Sequence, residues 1–98
     1  MAVESVERET SGVAFASPCF LNDVEIGGSD GTNDITVTIY DNNSTASGTK
    51  LLPTHVYDAS AKGMGGLTLT VAKIAKLGVY VEITTSGTAS VICGIGQP

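Results

Sequence analysis

Tryptophan is absent from these 98 residues, histidine occurs once, cysteine twice, and only five lysines and arginines stand against ten aspartates and glutamates. Each scarcity removes a class of function. His55 has no patterned Cys, Ser or carboxylate partner to orient it as a general base, so no triad is visible and no catalytic residue is assigned. Cys19 and Cys93 are too few for a disulfide framework and read as small buried apolar residues. A bridge between them requires the first and last long strands to be neighbours, and a reducing cytosol opposes it. The net charge of −5 is the reverse of the dense basic face that a phosphate backbone demands, which argues against a nucleic-acid partner. Four of the basic residues, Lys50, Lys62, Lys73 and Lys76, nevertheless share one central window, and a local basic patch stays open.

Long hydrophobic runs are missing too. None approaches the roughly 20 residues of a membrane helix, and Glu4, Glu7, Arg8 and Glu9 occupy the stretch where a signal peptide needs apolar residues. The expectation is a protein made in the cytosol with no membrane partner. Its overlapping sequons at Asn42 and Asn43 then reduce to turn composition.

What the chain does contain is period-two alternation. Ile35, Val37 and Ile39 alternate with Thr36, Thr38 and Tyr40, and Val79, Val81 and Ile83 alternate with Tyr80, Glu82 and Thr84. Such spacing places apolar side chains on one face of an extended strand and polar ones on the other. Further strands are expected at Val13–Phe15, at Cys19–Ile26 with Phe20, Val24 and Ile26 on one face and Leu21 on the other, at Lys50–Tyr57, from Leu67 to Val71, and at Ala89–Ile95. Pro53 removes a ladder donor and assigns Leu51–Tyr57 to an edge or a bulge. Ala72–Leu77 reads as a loop, and Val79–Thr84 with Ala89–Ile95 as a terminal hairpin across residues 85–88.

The expected fold is therefore all-β: an antiparallel β-sandwich, jelly-roll-like, of about seven short strands. Residues 12–98 form its single domain, because a chain of this length holds one modest core. Residues 1–11, in which Val3 and Val6 are the sparse apolar positions, are expected to form a flexible N-terminal arm able to order on a neighbouring subunit.

The chemistry-bearing residues are ordinary in this setting. Asp34 and Asp41 sit seven positions apart on one strand, roughly 23 Å, and cannot share a calcium ion. Asp30 and Asp34 could approach one another across their loop, but Asp, Gly and Asn are common loop residues, and no metal site or cofactor is assigned. The glycine runs lack the Lys-Ser/Thr of a phosphate loop. Tyr40 and Tyr80 fall on the outer face of their strands, where they suit a subunit contact or a carbohydrate platform equally.

The segments Phe20-Leu21-Asn22-Asp23-Val24-Glu25-Ile26-Gly27-Gly28, Ile35-Thr36-Val37-Thr38-Ile39-Tyr40-Asp41-Asn42-Asn43 and Gly78-Val79-Tyr80-Val81-Glu82-Ile83-Thr84 resemble small β-sandwich virion proteins of tailed bacteriophages. The resemblance covers about three quarters of the chain, from Phe20 to Ile95. It implies a head decoration or cement protein on the outer capsid surface, with the major capsid protein and further copies of itself, as a trimer, for partners. The alternatives are a glycan- or receptor-binding module of a head or tail fibre, and a tail or neck component. Val3, Val6, Tyr40 and Tyr80 are the expected interaction residues.

Overall fold

The alternating segments pair into two four-stranded antiparallel sheets in a computed structural model that describes residues 3–96. The strands are β1 (Val3–Arg8), β2 (Gly12–Phe15), β3 (Cys19–Gly27), β4 (Ile35–Asp41), β5 (Lys50–Tyr57), β6 (Leu67–Ala75), β7 (Val79–Thr84) and β8 (Ser90–Gly96), with a single helical turn, α1 (Ala59–Lys62), between β5 and β6. One sheet runs β1-β8-β3-β6 and the other β2-β7-β4-β5. The pairings β1–β8, β2–β7, β3–β6 and β4–β5 are successive rungs of one long hairpin that closes at the β4–β5 loop. Rolling that hairpin on itself adds β3–β8 and β4–β7, which is the connectivity of a jelly roll. The expected antiparallel sandwich is thus present, with eight strands rather than about seven.

The two inner faces supply the core. Cys19, Leu21, Val24 and Ile26 of β3 and Val91, Cys93 and Ile95 of β8 face Ile35, Val37 and Ile39 of β4 and Val79 and Val81 of β7, all of them buried. Each large aliphatic side chain removed from water contributes about 1.5–3 kcal/mol, an upper figure because the unfolded chain already hides some of that surface.

Three sequence expectations change. Residues 3–8 are not a free arm but the edge strand β1, with Val6 opposite Cys93 and packed against the core; residues 1–2 lie outside the described residues. One apolar residue between Glu4 and Arg8 leaves no alternation to read. The strand is recruited by the open edge of β8, whose backbone donors and acceptors it satisfies. Secondly, β7 and β8 are not a hairpin: they belong to different sheets, and residues 85–89 cross between them. Thirdly, β6 continues to Ala75 through the segment expected to be a loop.

That continuation depends on a bulge. Leu21 pairs with Lys73 and Asp23 with Thr70, so Val71 and Ala72 oppose the single residue Asn22, and Ala72 takes a left-handed φ of 53°. An extra residue with positive φ is a recurrent way to bend a strand without ending it. Against β8 the extra residue lies on β3, at Asn22. This resets the phase of β3 and brings Leu21 inside with Val24 and Ile26 while Phe20 turns outward, correcting the simple alternation.

The register also settles the cysteines. β3 and β8 are neighbours, but Cys93 faces Val24, five residues along from Cys19, more than about 10 Å away along the strands and beyond the reach of a disulfide. Both are free and buried. Burial, then the nearby Asp23 carboxylate and Cys19, push the Cys93 thiol up to about 12.

Since β1 is part of the sheet, deleting residues 1–8 is expected to lower the melting temperature by about 10 °C or more, from the lost ladder and the burial of Val6. Thermal unfolding followed by circular dichroism measures this, and an unchanged midpoint would restore the flexible-arm reading.

Candidate functional site

Three surface features position polar chemistry on this scaffold. The first is the outer face of the β2-β7-β4-β5 sheet. Alternation along β4 and β7 turns Thr36, Thr38 and Tyr40 outward beside Thr84, Glu82 and Tyr80, and the register sets Tyr40 directly opposite Tyr80. The two expected interaction tyrosines are therefore brought together as a cross-strand pair, both half-buried. Tyr40 donates a long 3.4 Å hydrogen bond to Glu82 Oε1, and partial desolvation followed by the Glu82 charge raises its phenol above the ordinary tyrosine range. Thr38, buried although it faces outward, shares a 2.8 Å hydroxyl contact with Thr54. At the far end of the same face, Thr32, Asn33, Asp34, Thr36, Thr84 and Ser86 border a polar depression of about 470 Å³. Tyr57 does not belong to this face: it is buried, and its hydroxyl donates to the Gly65 and Gly63 carbonyls at 2.7 and 3.3 Å, fastening the loop around α1.

Val3 and Val6 are not brought to the tyrosines. Val6 is engaged by the chain's own core, and Val3 pairs through its backbone with Gly96, its side chain lying outside the described residues.

The second feature is a cleft of about 480 Å³ beside the seam where the edge strands β5 and β6 meet. Lys50, Lys73 and Lys76 line it together with Phe20, Leu51 and Ile74. Three lysines of the sequence window, Lys50, Lys73 and Lys76, thus border one cleft through the bulge in β6 and the return of β5, and Lys62 on α1 does not. Apolar residues between them were not legible as a site, because the Ala72–Leu77 segment carries no strand pattern.

Asp41 lies at the cleft as well, and its role is structural. Its carboxylate accepts from the backbone N–H of Lys76 at 2.9 Å, Leu77 at 2.8 Å and Gly78 at 3.4 Å, tying the β6–β7 turn to the end of β4. Burial alone raises this carboxyl; the three N–H donors and the Lys76 ammonium outweigh it and hold the group below the usual carboxylate range. Gly78 completes the knot. A side chain there would meet the Phe15 carbonyl oxygen at 2.5 Å.

The third feature, the loop aspartates, resolves into local ties. Asp30 accepts from the Thr32 and Asn33 backbone and from the Asn33 amide, whereas Asp34 accepts from the Ala59 N–H at 3.1 Å. Each carboxylate is turned to a separate turn or cap. Among the described residues no group of three or more His, Cys, Asp or Glu side chains is placed to hold a metal ion. Asn42, the first sequon residue, accepts from Ser44 and Thr45 N–H and donates to the Ser47 carbonyl, organising its own loop. His55 is half-buried on β5 opposite Val37.

No family model, curated protein or solved structure matches this chain.

The functional reading accordingly rests on the surfaces just described. Their best-defined electrostatic element is the Asp41 knot, and its sign is definite. A carboxyl lower in the folded chain than in the unfolded one contributes stability above its unfolded value, and that contribution is lost as pH falls through the folded value. Asp30 and Asp58, also lowered by hydrogen bonds, act in the same direction. Denaturant unfolding is expected to show lower stability at about pH 3 than at about pH 6, below and above the ordinary carboxylate range. Asp41→Asn is expected to cost about 1–2 kcal/mol at the higher pH and to reduce the difference between the two.

Proposed function

We propose that this chain is a structural protein of a tailed-bacteriophage particle, a decoration or cement protein that binds the outer surface of the capsid shell and stabilises it. Its partners in this reading are the major capsid protein and further copies of itself, as a trimer. The observation that carries the reading is the eight-strand jelly roll, with its singled-out carboxylates turned to backbone ties. It leaves broad sheet faces and an open cleft as the places where this protein can act. The likeness of its strand segments to small virion sandwiches supplies the setting. An acidic chain with net charge −5 suits the outside of a shell, where it does not compete for packaged genome.

The mechanism is linkage. A protein that binds the assembled shell and not its dispersed subunits adds its binding free energy to the shell's stability, by about 2.7 kcal/mol per site at a free concentration a hundred times the dissociation constant. Residues 3–8 of the expected arm are the strand β1, so docking in this reading falls to folded surfaces, and rigid-body association is the default. Mixing the purified protein with capsids lacking it, then pelleting the particles, is expected to carry it into the pellet at saturating stoichiometry and to raise the temperature at which the shells open. Protein that stays in the supernatant across micromolar concentrations would count against the reading.

A second reading is favoured by the tyrosine pair. Two adjacent phenol rings, with a hydroxyl-lined depression at the other end of the same face, offer stacking and hydrogen bonding to a sugar chain, as in a glycan- or receptor-binding module of a fibre. In that case a glycan array gives a hit that Tyr40→Ala or Tyr80→Ala weakens about tenfold, the size of one lost aromatic contact. A blank array leaves the face as a protein contact.

A further inference from the structure

Two small clusters of opposite charge lie on the surface of this chain. Three of its five cationic residues, Lys50, Lys73 and Lys76, line the cleft by the β5–β6 seam. Apolar surface accompanies them: Ile74 is 70% exposed in the cleft wall, and Leu77, on the adjoining turn, is 51% exposed. The carboxylate in the cleft, Asp41, is already turned to three backbone N–H groups.

Three of the ten acidic residues lie on the outer face of the β1-β8-β3-β6 sheet, which Phe20 and Ile74 of the cleft adjoin. Register places Glu7 beside Ile92, with Asp23 opposite Gly94 and Glu25 opposite Ile92. Gly94 has no side chain to fill its position, and the Asp23 carboxylate lies over it. A depression of about 320 Å³ results, lined by Ser5, Asp23, Glu25, Thr68, Ile92 and Gly94. The nearest cation on β1, Arg8, is directed away, donating to the Thr10 and Ser11 carbonyls.

We propose that the lysine cleft of one copy receives the acidic face of a second copy, the ammonium groups meeting Glu7, Asp23 and Glu25 while Ile74 covers Ile92. Charge complementarity between two patches of the same chain argues for this occupant. It directs encounter and fixes register, and the exposed isoleucine and leucine add the apolar contact that screened surface charges lack. The contact joins one patch to the other: used reciprocally across one axis it gives a two-fold dimer, and used once per copy it adds copies head to tail. The proposal rests on the self-association in the capsid reading and identifies its surfaces. It is tested on the isolated protein, so failure to bind capsids leaves it standing.

Sedimentation velocity and light scattering supply the test. At low salt the protein is expected to exceed its 10.0 kDa monomer mass. It should return towards that mass near 1 M NaCl, where the Debye length falls to about 3 Å. This comparison needs no variant. The double variants Lys73→Glu with Lys76→Glu, and Glu7→Lys with Glu25→Lys, are each expected to be monomeric at low salt while keeping the wild-type circular dichroism spectrum. Mixed in equal amounts, they should associate again, because each reversed patch meets a complementary one. A monomer at low salt, an oligomer indifferent to salt, folded single-sided variants that still assemble, or a mixture that stays monomeric would overturn the proposal.

Discussion

Everything in this fold depends on two sheets burying their inner faces against each other. Neither sheet is stable alone, since a four-stranded layer with one apolar face needs a cover. The cover is provided within the same chain because the long hairpin rolls: β3 and β8 line one wall, β4 and β7 the other. Most of the chain's large aliphatic side chains are consumed in that contact. Little apolar surface remains for anything else, which is why the few exposed large residues, Val56, Met64, Ile74 and Leu77, carry information about association.

Rolling creates a second requirement, that edges and crossovers be held. β5 ends its sheet with Pro53 and register shifts against β4, and β6 ends the other with a bulge and Lys73. These are features by which native edges resist indiscriminate strand addition. The turn from β6 to β7, which carries the chain from one sheet to the other, is fixed by the Asp41 carboxylate on three consecutive N–H groups. One side chain thus does at a crossover what a ladder does within a sheet. Its geometry also forms an end of the lysine cleft, so the stability of the fold and the shape of that surface share a residue.

The strands were legible wherever one face is apolar without interruption. β4 and β7 follow strict alternation and appear at nearly the expected bounds, and Pro53 marked an edge strand correctly. What failed to show was everything set by a partner strand. β1 has one inward apolar residue and is held by the edge of β8, so its sequence resembles a tail. The phase of β3 changes at Asn22, and β6 survives past Ala72, because paired bulges absorb the extra residues; no local pattern encodes a bulge whose reason lies across the sheet. The last two strands resembled a hairpin since a short glycine-containing connection serves a tight turn and a crossing between sheets alike. For the surfaces, the outward tyrosines could be placed by parity alone. Their direct opposition, and the meeting of Lys50 with Lys73 and Lys76, required the register.

The core of this fold is almost wholly apolar. Among the described residues the buried polar side chains are Ser29 and Thr38, and the hydroxyl of each is engaged, with Gly31 N–H and with Thr54. The interior therefore offers rigidity rather than reactivity. In the capsid reading proposed above, rigidity matters because backbone already held in a sheet loses little further freedom on association. The cleft, the acidic face and the tyrosine pair are each carried on paired strands or on a tied turn, so their backbone positions are set by the sheets. In the association proposed above, patches of opposite charge on one small body favour repeated, geometrically regular contacts. A shell that repeats the same site many times is the setting in which such association adds most, since each added contact stabilises its neighbours' positions as well as its own.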